Sequence, residues 1–295
     1  MDRMDWQDEW LQGAIDMHVH AAPDIMQRKY TDAKLVQQYR ALGMGGFVSK
    51  CHHGDTSSRS AILSELFPQK EGRAVYGGVV LNHSVGGLNP DAVTSCGKMG
   101  GRIVWFPTVD AENDAFYKKQ HKNPALGQAN EQPTAKPKIH ILDERGKLLQ
   151  EASLVLEAIR AEDMILATGH LSPKESLVLV REAAAMGIEK IIVTHVTLPL
   201  TYMDLSLQKS FLDCGAMLEH CFYTPYHELV SWQEIAESIH QAGAEHIILS
   251  TDLGQKSGMD PAAGLQEFAK ELYGHGIDGM SLQQIMVKNP RGLLS

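Results

Sequence analysis

His18 and His20 stand one residue apart in the run Ile15-Asp16-Met17-His18-Val19-His20. On a β-strand, positions i and i+2 face the same way, so both imidazoles can point at one ion. Neutral imidazole is the commonest protein ligand for Zn²⁺ and similar divalent cations. Taken alone, the pair also fits two partly buried histidines bonded to backbone. Three further residues shift that balance. His170 in Ala167-Thr168-Gly169-His170, His195 in Val193-Thr194-His195 and Asp252 in Ser250-Thr251-Asp252 each follow a short apolar run. Four imidazoles and one carboxylate, each at the end of such a run, predict a divalent-metal site.

The elements that must position these residues are written in an alternation of short β-branched runs with longer amphipathic ones. Strands are expected at 14–18, 46–50, 74–81, 102–106, 164–168, 190–194, 216–219 and 246–250. Helices are expected between them, with capping boxes at Ser172-Pro173-Lys174-Glu175 and Ser231-Trp232-Gln233-Glu234, a cap at Asp260-Pro261 and a last helix opening at Ser281. Eight β–α units imply a parallel sheet, and their number and the chain length favour an α/β fold of the (β/α)8 TIM-barrel type over an open doubly wound sheet. No glycine-rich nucleotide fingerprint follows any strand. The rhythm breaks once, after strand 4. Residues 110–147 are polar and hold one strand-like run, Lys138 to Leu142, expected as an arm of a hairpin turning at 144–146. A segment of that length is read as an inserted lid or substrate loop on a single barrel spanning 1–295.

Active sites of such barrels gather at the carboxyl ends of the strands. Of the 14 histidines, eight fall at that rim: His18, His20, His52, His53, His83, His170, His195 and His220. Lys50 ends strand two and shares its face with His52. His52 and His83 are candidates for a further ligand or a substrate contact. His220, beside Glu219, is a candidate for substrate binding or for orienting a ligand imidazole. His121, His140, His240, His246 and His275 fall on helices, at a strand start or in the insertion, and read as structural or solvent-facing.

Composition bounds the rest. Hydrophobic residues make up 43 % of the chain, which argues against disorder. The formal net charge of −9 disfavours a nucleic-acid partner. No apolar run approaches the ~18 residues of a membrane span. The acidic, mixed start lacks the pattern of a secretory signal, and the four cysteines show no paired spacing. A cytoplasmic protein acting on a small molecule, with homo-oligomers possible, is the expectation.

The runs around His18, His20, His170, His195 and Asp252, with the closing Val287-Lys288-Asn289-Pro290-Arg291-Gly292-Leu293-Leu294, resemble the amidohydrolase superfamily of metal-dependent hydrolases over essentially the whole chain. Within it the sequence looks most like the uncharacterised DUF6282-type branch. The resemblance implies two divalent ions, with zinc first and manganese or iron as alternatives. His18, His20 and Asp252 would hold the more buried ion, and His170 and His195 the second. Binuclear members bridge their ions with an anionic side chain, often a carboxylated lysine ending strand four. Here strand four ends in Trp105-Phe106-Pro107, so Lys50 is the bridge candidate.

The chemistry expected of that ligand set is hydrolysis of an ester, thioester, lactone or amide by a metal-activated water, the metal lowering the pKa of the water toward about 7. Asp252 would serve as general base and then acid. One alternative is phosphoester hydrolysis, since TatD-like nucleases resemble this layout, although their strand-four glutamate is absent. PHP-type phosphoesterases tend to end in Asp-x-His, where this chain has Asp252-Leu253-Gly254, and the His-x-x-Glu of deaminases does not follow strand five. A non-catalytic metal-binding barrel is the remaining alternative.

Overall fold

The structure is a computed structural model that describes residues 10–121 and 136–295. Its centre is a ring of parallel strands: β1 (Ile15–His20), β2 (Gly46–Lys50), β3 (Val75–Tyr76), β4 (Gly78–Val80), β5 (Ile103–Trp105), β6 (Ile165–Ala167), β7 (Ile191–Val193), β8 (Met217–Cys221) and β9 (Ile247–Ser250). Neighbours pair in chain order, β1-β2-β3 and then β4 through β9, all parallel. Helices cross over between them on the outside, and the fold is an α/β (β/α)8 barrel.

The expected third strand, 74–81, is interrupted at Gly77, which separates β3 from β4. Thr56 fills the break. Its Oγ1 donates to the Ser49 carbonyl at 2.8 Å and accepts from the Gly78 N–H at 2.9 Å. A Cβ on Gly77 would lie 2.5 Å from Ser57 Cα, so only glycine admits this approach. The ring closes between β1 and the residues that follow β9. The Asp252 N–H donates to the His18 carbonyl at 2.7 Å, and the His20 N–H to the Leu253 carbonyl at 2.8 Å.

Two apolar layers hold the barrel. Ile15, Met17, Val48, Val80, Ile103, Trp105, Ile165, Ile192 and Ile248 point inward and meet Leu293 and Leu294 from the C-terminal helix, Asn289–Leu294. The opposite faces of the strands pack on the helices through Val19, Phe47, Val79, Val104, Leu166, Val193, Leu218 and Leu249. Strands buried on both faces explain the near-continuous apolar runs of the sequence.

The helix caps follow the sequence with two differences. Ser172 and Glu175 form the reciprocal box. Ser231 caps its helix, but Glu234 turns away from the cap and accepts from the Tyr202 hydroxyl at 2.7 Å. The last stretch does not open at Ser281. Asp278 accepts from the Ser281 N–H, and the helix Gly279–Gln283 runs through a π-helical turn, Gln284–Lys288, into Asn289–Leu294.

The insertion is less irregular than its polarity suggested. It contains the helix Glu112–Gln120. Lys138 to Leu142 makes isolated bridges rather than a strand: Ile139 pairs with Ala111, and Leu142 pairs with Leu148 across a turn at Gly146. The central part of the expected lid, 122–135, lies outside the described residues.

Candidate metal centre

The period-two run on β1 places the imidazoles of His18 and His20 side by side, ring centroids 5.4 Å apart, inside the barrel mouth. Both are buried. Asp252, delivered by the backbone closure of β9 onto β1, sets its Oδ1 3.0 Å from His18 Nε2 and 3.1 Å from His20 Nε2. His195 comes off β7 with its Nε2 3.7 Å from Asp252 Oδ2 and its ring 5.1 Å from that of His18. His195 and Asp252 both have positive φ, 58° and 52°, a conformation that costs a non-glycine residue roughly 1 kcal/mol or more. The turn after each strand thus holds its side chain in the mouth at the expense of backbone strain.

The far sides of the His18, His20 and His170 rings are also engaged. His18 Nδ1 faces Glu219 Oε1 at 3.4 Å. His20 Nδ1 donates to the Lys50 carbonyl at 3.1 Å. His170 Nδ1 donates to Asp114 Oδ1 at 2.8 Å. An imidazole whose Nδ1–H is committed in this way presents a bare Nε2 lone pair. His20 Nε2 and Asp252 Oδ1, 3.1 Å apart, are then two acceptors with no proton between them, an arrangement that suits a cation.

Electrostatics favour the same occupant. Burial, followed by the Arg28 guanidinium, pushes the His20 pKa down to about 3, so its ring is neutral near pH 7. Burial lowers His170 and takes His52 and His195 well below the usual histidine range. Burial and the Lys50 ammonium push His18 down as well. The Asp252 and Glu219 carboxylates overcome both and raise it, the same attraction a bound cation would meet. Burial alone would raise both carboxylates, but His18 holds Glu219 at about 2 and Asp252 well below the carboxylate range. Among the buried polar atoms that have no hydrogen-bond partner within the described residues, two belong to this cluster, His195 Nδ1 and Glu219 Oε2. Two sets of ligand atoms each lie within 4.8 Å of one another: His18, His20 and Asp252 form one, and His18, His195, Glu219 and Cys221 the other. This donor set fits a divalent cation.

The other sequence candidates divide. Lys50 is fully buried with Nζ 2.9 Å from His18 Nε2 and 5.3 Å from the Trp105 ring, so the strand that lacks a bridging residue supplies the floor beneath the lysine. His52 faces the site, its ring 4.7 Å from that of His20 and its Nδ1 2.8 Å from Thr108 Oγ1. His170 stands at the edge of the cluster, its ring 5.6 Å from that of His195. His83 and His220 are not in it. His83 Nε2 donates to the Pro137 carbonyl of the insertion at 2.8 Å.

His220 lies on the opposite face of β8 from Glu219 and Cys221. Thr197 Oγ1 meets its Nδ1 at 3.3 Å, its Nε2 meets Ser238 Oγ at 3.0 Å, and Ser238 passes its own proton to Gln208 Oε1 at 2.6 Å. That chain is satisfied by the neutral ring, and burial lowers the His220 pKa to about 4. The inward residues of β8 are therefore Glu219 and Cys221. Asp114 was also missed by the sequence reading: it arrives on the insertion helix and carries no signal of its own in a polar stretch.

The family model for DUF6282, a family of unknown function, matches residues 13–219. No curated protein matches the chain. Solved structures share the fold. An amidohydrolase from Pseudomonas aeruginosa has a TM-score of 0.63 at 12 % identity, with 98 % of this chain and 97 % of that one covered. A putative 2-pyrone-4,6-dicarboxylic acid hydrolase from Pseudomonas putida has a TM-score of 0.58 at 16 % identity, covering 96 % and 97 %. The TatD homolog YJJV from Escherichia coli has a TM-score of 0.59 at 13 % identity, covering 96 % and 98 %.

Proposed function

The chain belongs to the DUF6282 family, and from that premise we propose that it is a metal-dependent hydrolase of the amidohydrolase type, cleaving an ester, thioester, lactone or amide of a small molecule. The observation that carries this reading is the convergence of His18 Nε2 and His20 Nε2 on one oxygen of Asp252 at the carboxyl ends of the strands. His18, His20 and Asp252 would hold one divalent ion and His170 and His195 a second, with zinc the expected metal. When bound, such an ion supplies Lewis acidity, acidifying water and polarising the scissile carbonyl.

The residues of the chain do the remaining work. Asp252 is the general base. Its side chain is 16 % exposed, so it reaches both the buried imidazoles and the mouth. It orients the attacking water, takes its proton as the oxygen adds to the carbonyl carbon, and returns that proton to the leaving group as the scissile bond breaks. Glu219 and the Lys50 carbonyl hold His18 and His20 in the required tautomers. Lys50, whose pKa burial lowers, has the more readily available free amine that carboxylation needs, and in that form it would bridge the two ions. Arg28, paired through Nε with Asp24 Oδ2 at 2.7 Å, adds positive charge beside His20.

No helix among the described residues is long and apolar enough to cross a membrane. The reading is completed by a cytoplasmic setting, a small-molecule substrate, no nucleic-acid partner and a possible homo-oligomer. The test is turnover of matched carboxylic and phosphoric esters by metal-loaded protein. Acyl hydrolysis supports the reading, and phosphoester hydrolysis alone transfers it to the TatD-like alternative.

A further inference from the structure

The insertion after strand four reaches the centre through two consecutive residues of one helix. Asp114 Oδ1 accepts from His170 Nδ1 at 2.8 Å. Asn113 Nδ2 donates to the backbone carbonyl of the same histidine at 3.1 Å and to that of Leu200 at 2.8 Å. The helix Glu112–Gln120 thus grips both the ring and the backbone of His170 and ties them to the loop after β7. Asp114 is almost fully buried, and its second oxygen is occupied by Lys118 Nζ at 2.8 Å, one turn along the same helix. It is the one buried residue of that helix. A carboxylate placed so, with each oxygen committed, fixes a single tautomer and a single orientation of the imidazole it meets.

We propose that Asp114 is a positioning residue that holds His170 with Nε2 toward the metal centre, and that the helix Glu112–Gln120 is a working part of that centre. This rests on the reading of His170 as a metal ligand. Two consequences follow. Removing the carboxylate frees the ring to turn or to change tautomer, and a histidine ligand without its carboxylate partner typically loses 10–100-fold in metal affinity. By linkage, metal bound at His170 must also stabilise the docking of the helix.

The test measures Zn²⁺ affinity of the full chain by competition with a chromophoric chelator. It compares the wild type, Asp114→Asn, Asp114→Ala and His170→Ala, with Asp114→Ala repeated in the His170→Ala background. Asn keeps the shape and an acceptor while removing the charge, which guards against misfolding of the alanine variant. The expected result is a loss of about 10–100-fold for one Zn²⁺ in Asp114→Ala and a smaller loss in Asp114→Asn. The loss should shrink to less than ~2-fold when His170 is already absent. The Co²⁺-loaded protein should change its visible absorption in Asp114→Asn. Amide exchange in the helix Glu112–Gln120 should slow when Zn²⁺ is added to the wild type and not to His170→Ala.

Wild-type affinity in both Asp114 variants overturns the inference, and so does an Asp114→Ala loss that persists undiminished without His170. Either result leaves the proposed hydrolase standing. A wild type that binds no Zn²⁺ overturns the metal centre itself, and the inference with it.

Discussion

The backbone N–H of Asp252 donates to the carbonyl of His18 at 2.7 Å, and Oδ1 of the same aspartate lies 3.0 Å from Nε2 of the same histidine. One pair of residues thus closes the barrel and assembles the site. The closure is not adjustable at its next residues: a Cβ on Gly254, whose φ is 125°, would fall 1.9 Å from the His20 carbonyl oxygen.

Asp252→Asn keeps the shape of the side chain and removes the carboxylate proposed as the base. Turnover is expected to fall by at least about 10²-fold, in line with the loss of a positioned general base. Metal content should change far less, because His18 and His20 still converge on the same point and the asparagine keeps a carbonyl oxygen there. Parallel metal analysis and steady-state kinetics check this, and near-wild-type turnover would remove Asp252 from its role.

Metal removal should lower stability as well as activity. A ligand that binds the native state alone at 100 times its dissociation constant adds about 2.7 kcal/mol. Chelated protein should melt at a lower temperature, and added Zn²⁺ should restore the melt in a concentration-dependent way. His20→Ala should lose most of that response.

His220 makes the chelated protein sensitive to acid. Its pKa is lowered from 6.5 to about 4 in the folded state, so the unfolded chain binds the extra proton between those values. By linkage its contribution is fully present above pH 6.5 and is lost as pH falls toward 4, by roughly 3 kcal/mol at about 1.4 kcal/mol per pH unit. Urea unfolding at several pH values should show His220→Gln with a shallower decline across that window than the wild type. Equal slopes would contradict the buried neutral ring.

Gly169→Ala tests the turn that presents His170. Gly169 has φ 65°, and a Cβ there would lie 2.2 Å from the Phe106 carbonyl oxygen. The substitution is expected to cost on the order of 3 kcal/mol and to displace His170. Thermal unfolding and metal content report the two effects separately.

The barrel and most of its rim were legible because each depends on short-range pattern. Alternating strands and helices give the fold, and period two on β1 gives the His18–His20 pair. Orientation on β8 was harder. Its central residues are buried on both faces, so hydrophobicity does not say whether Glu219 or His220 points inward. Register against β9 decides it, with His220 opposite Leu249 and Glu219 opposite Ile248. Asp114 was invisible for a different reason. The helix that carries it packs by hydrogen bonds and ion pairs rather than an apolar stripe, so no periodicity marked it. Nor does residue type reveal the positive φ of His195 and Asp252, which tertiary contacts impose.

The most direct measurement of the central claim is the metal content of the purified chain, with turnover on a panel of esters, thioesters, lactones, amides and phosphoesters before and after chelation. The account predicts divalent metal bound to each chain, two ions at full loading, and hydrolysis of a carboxylic acyl bond that disappears with chelation and returns with Zn²⁺. Protein that takes up no divalent metal, or that carries it and cleaves phosphoesters alone, would contradict the account.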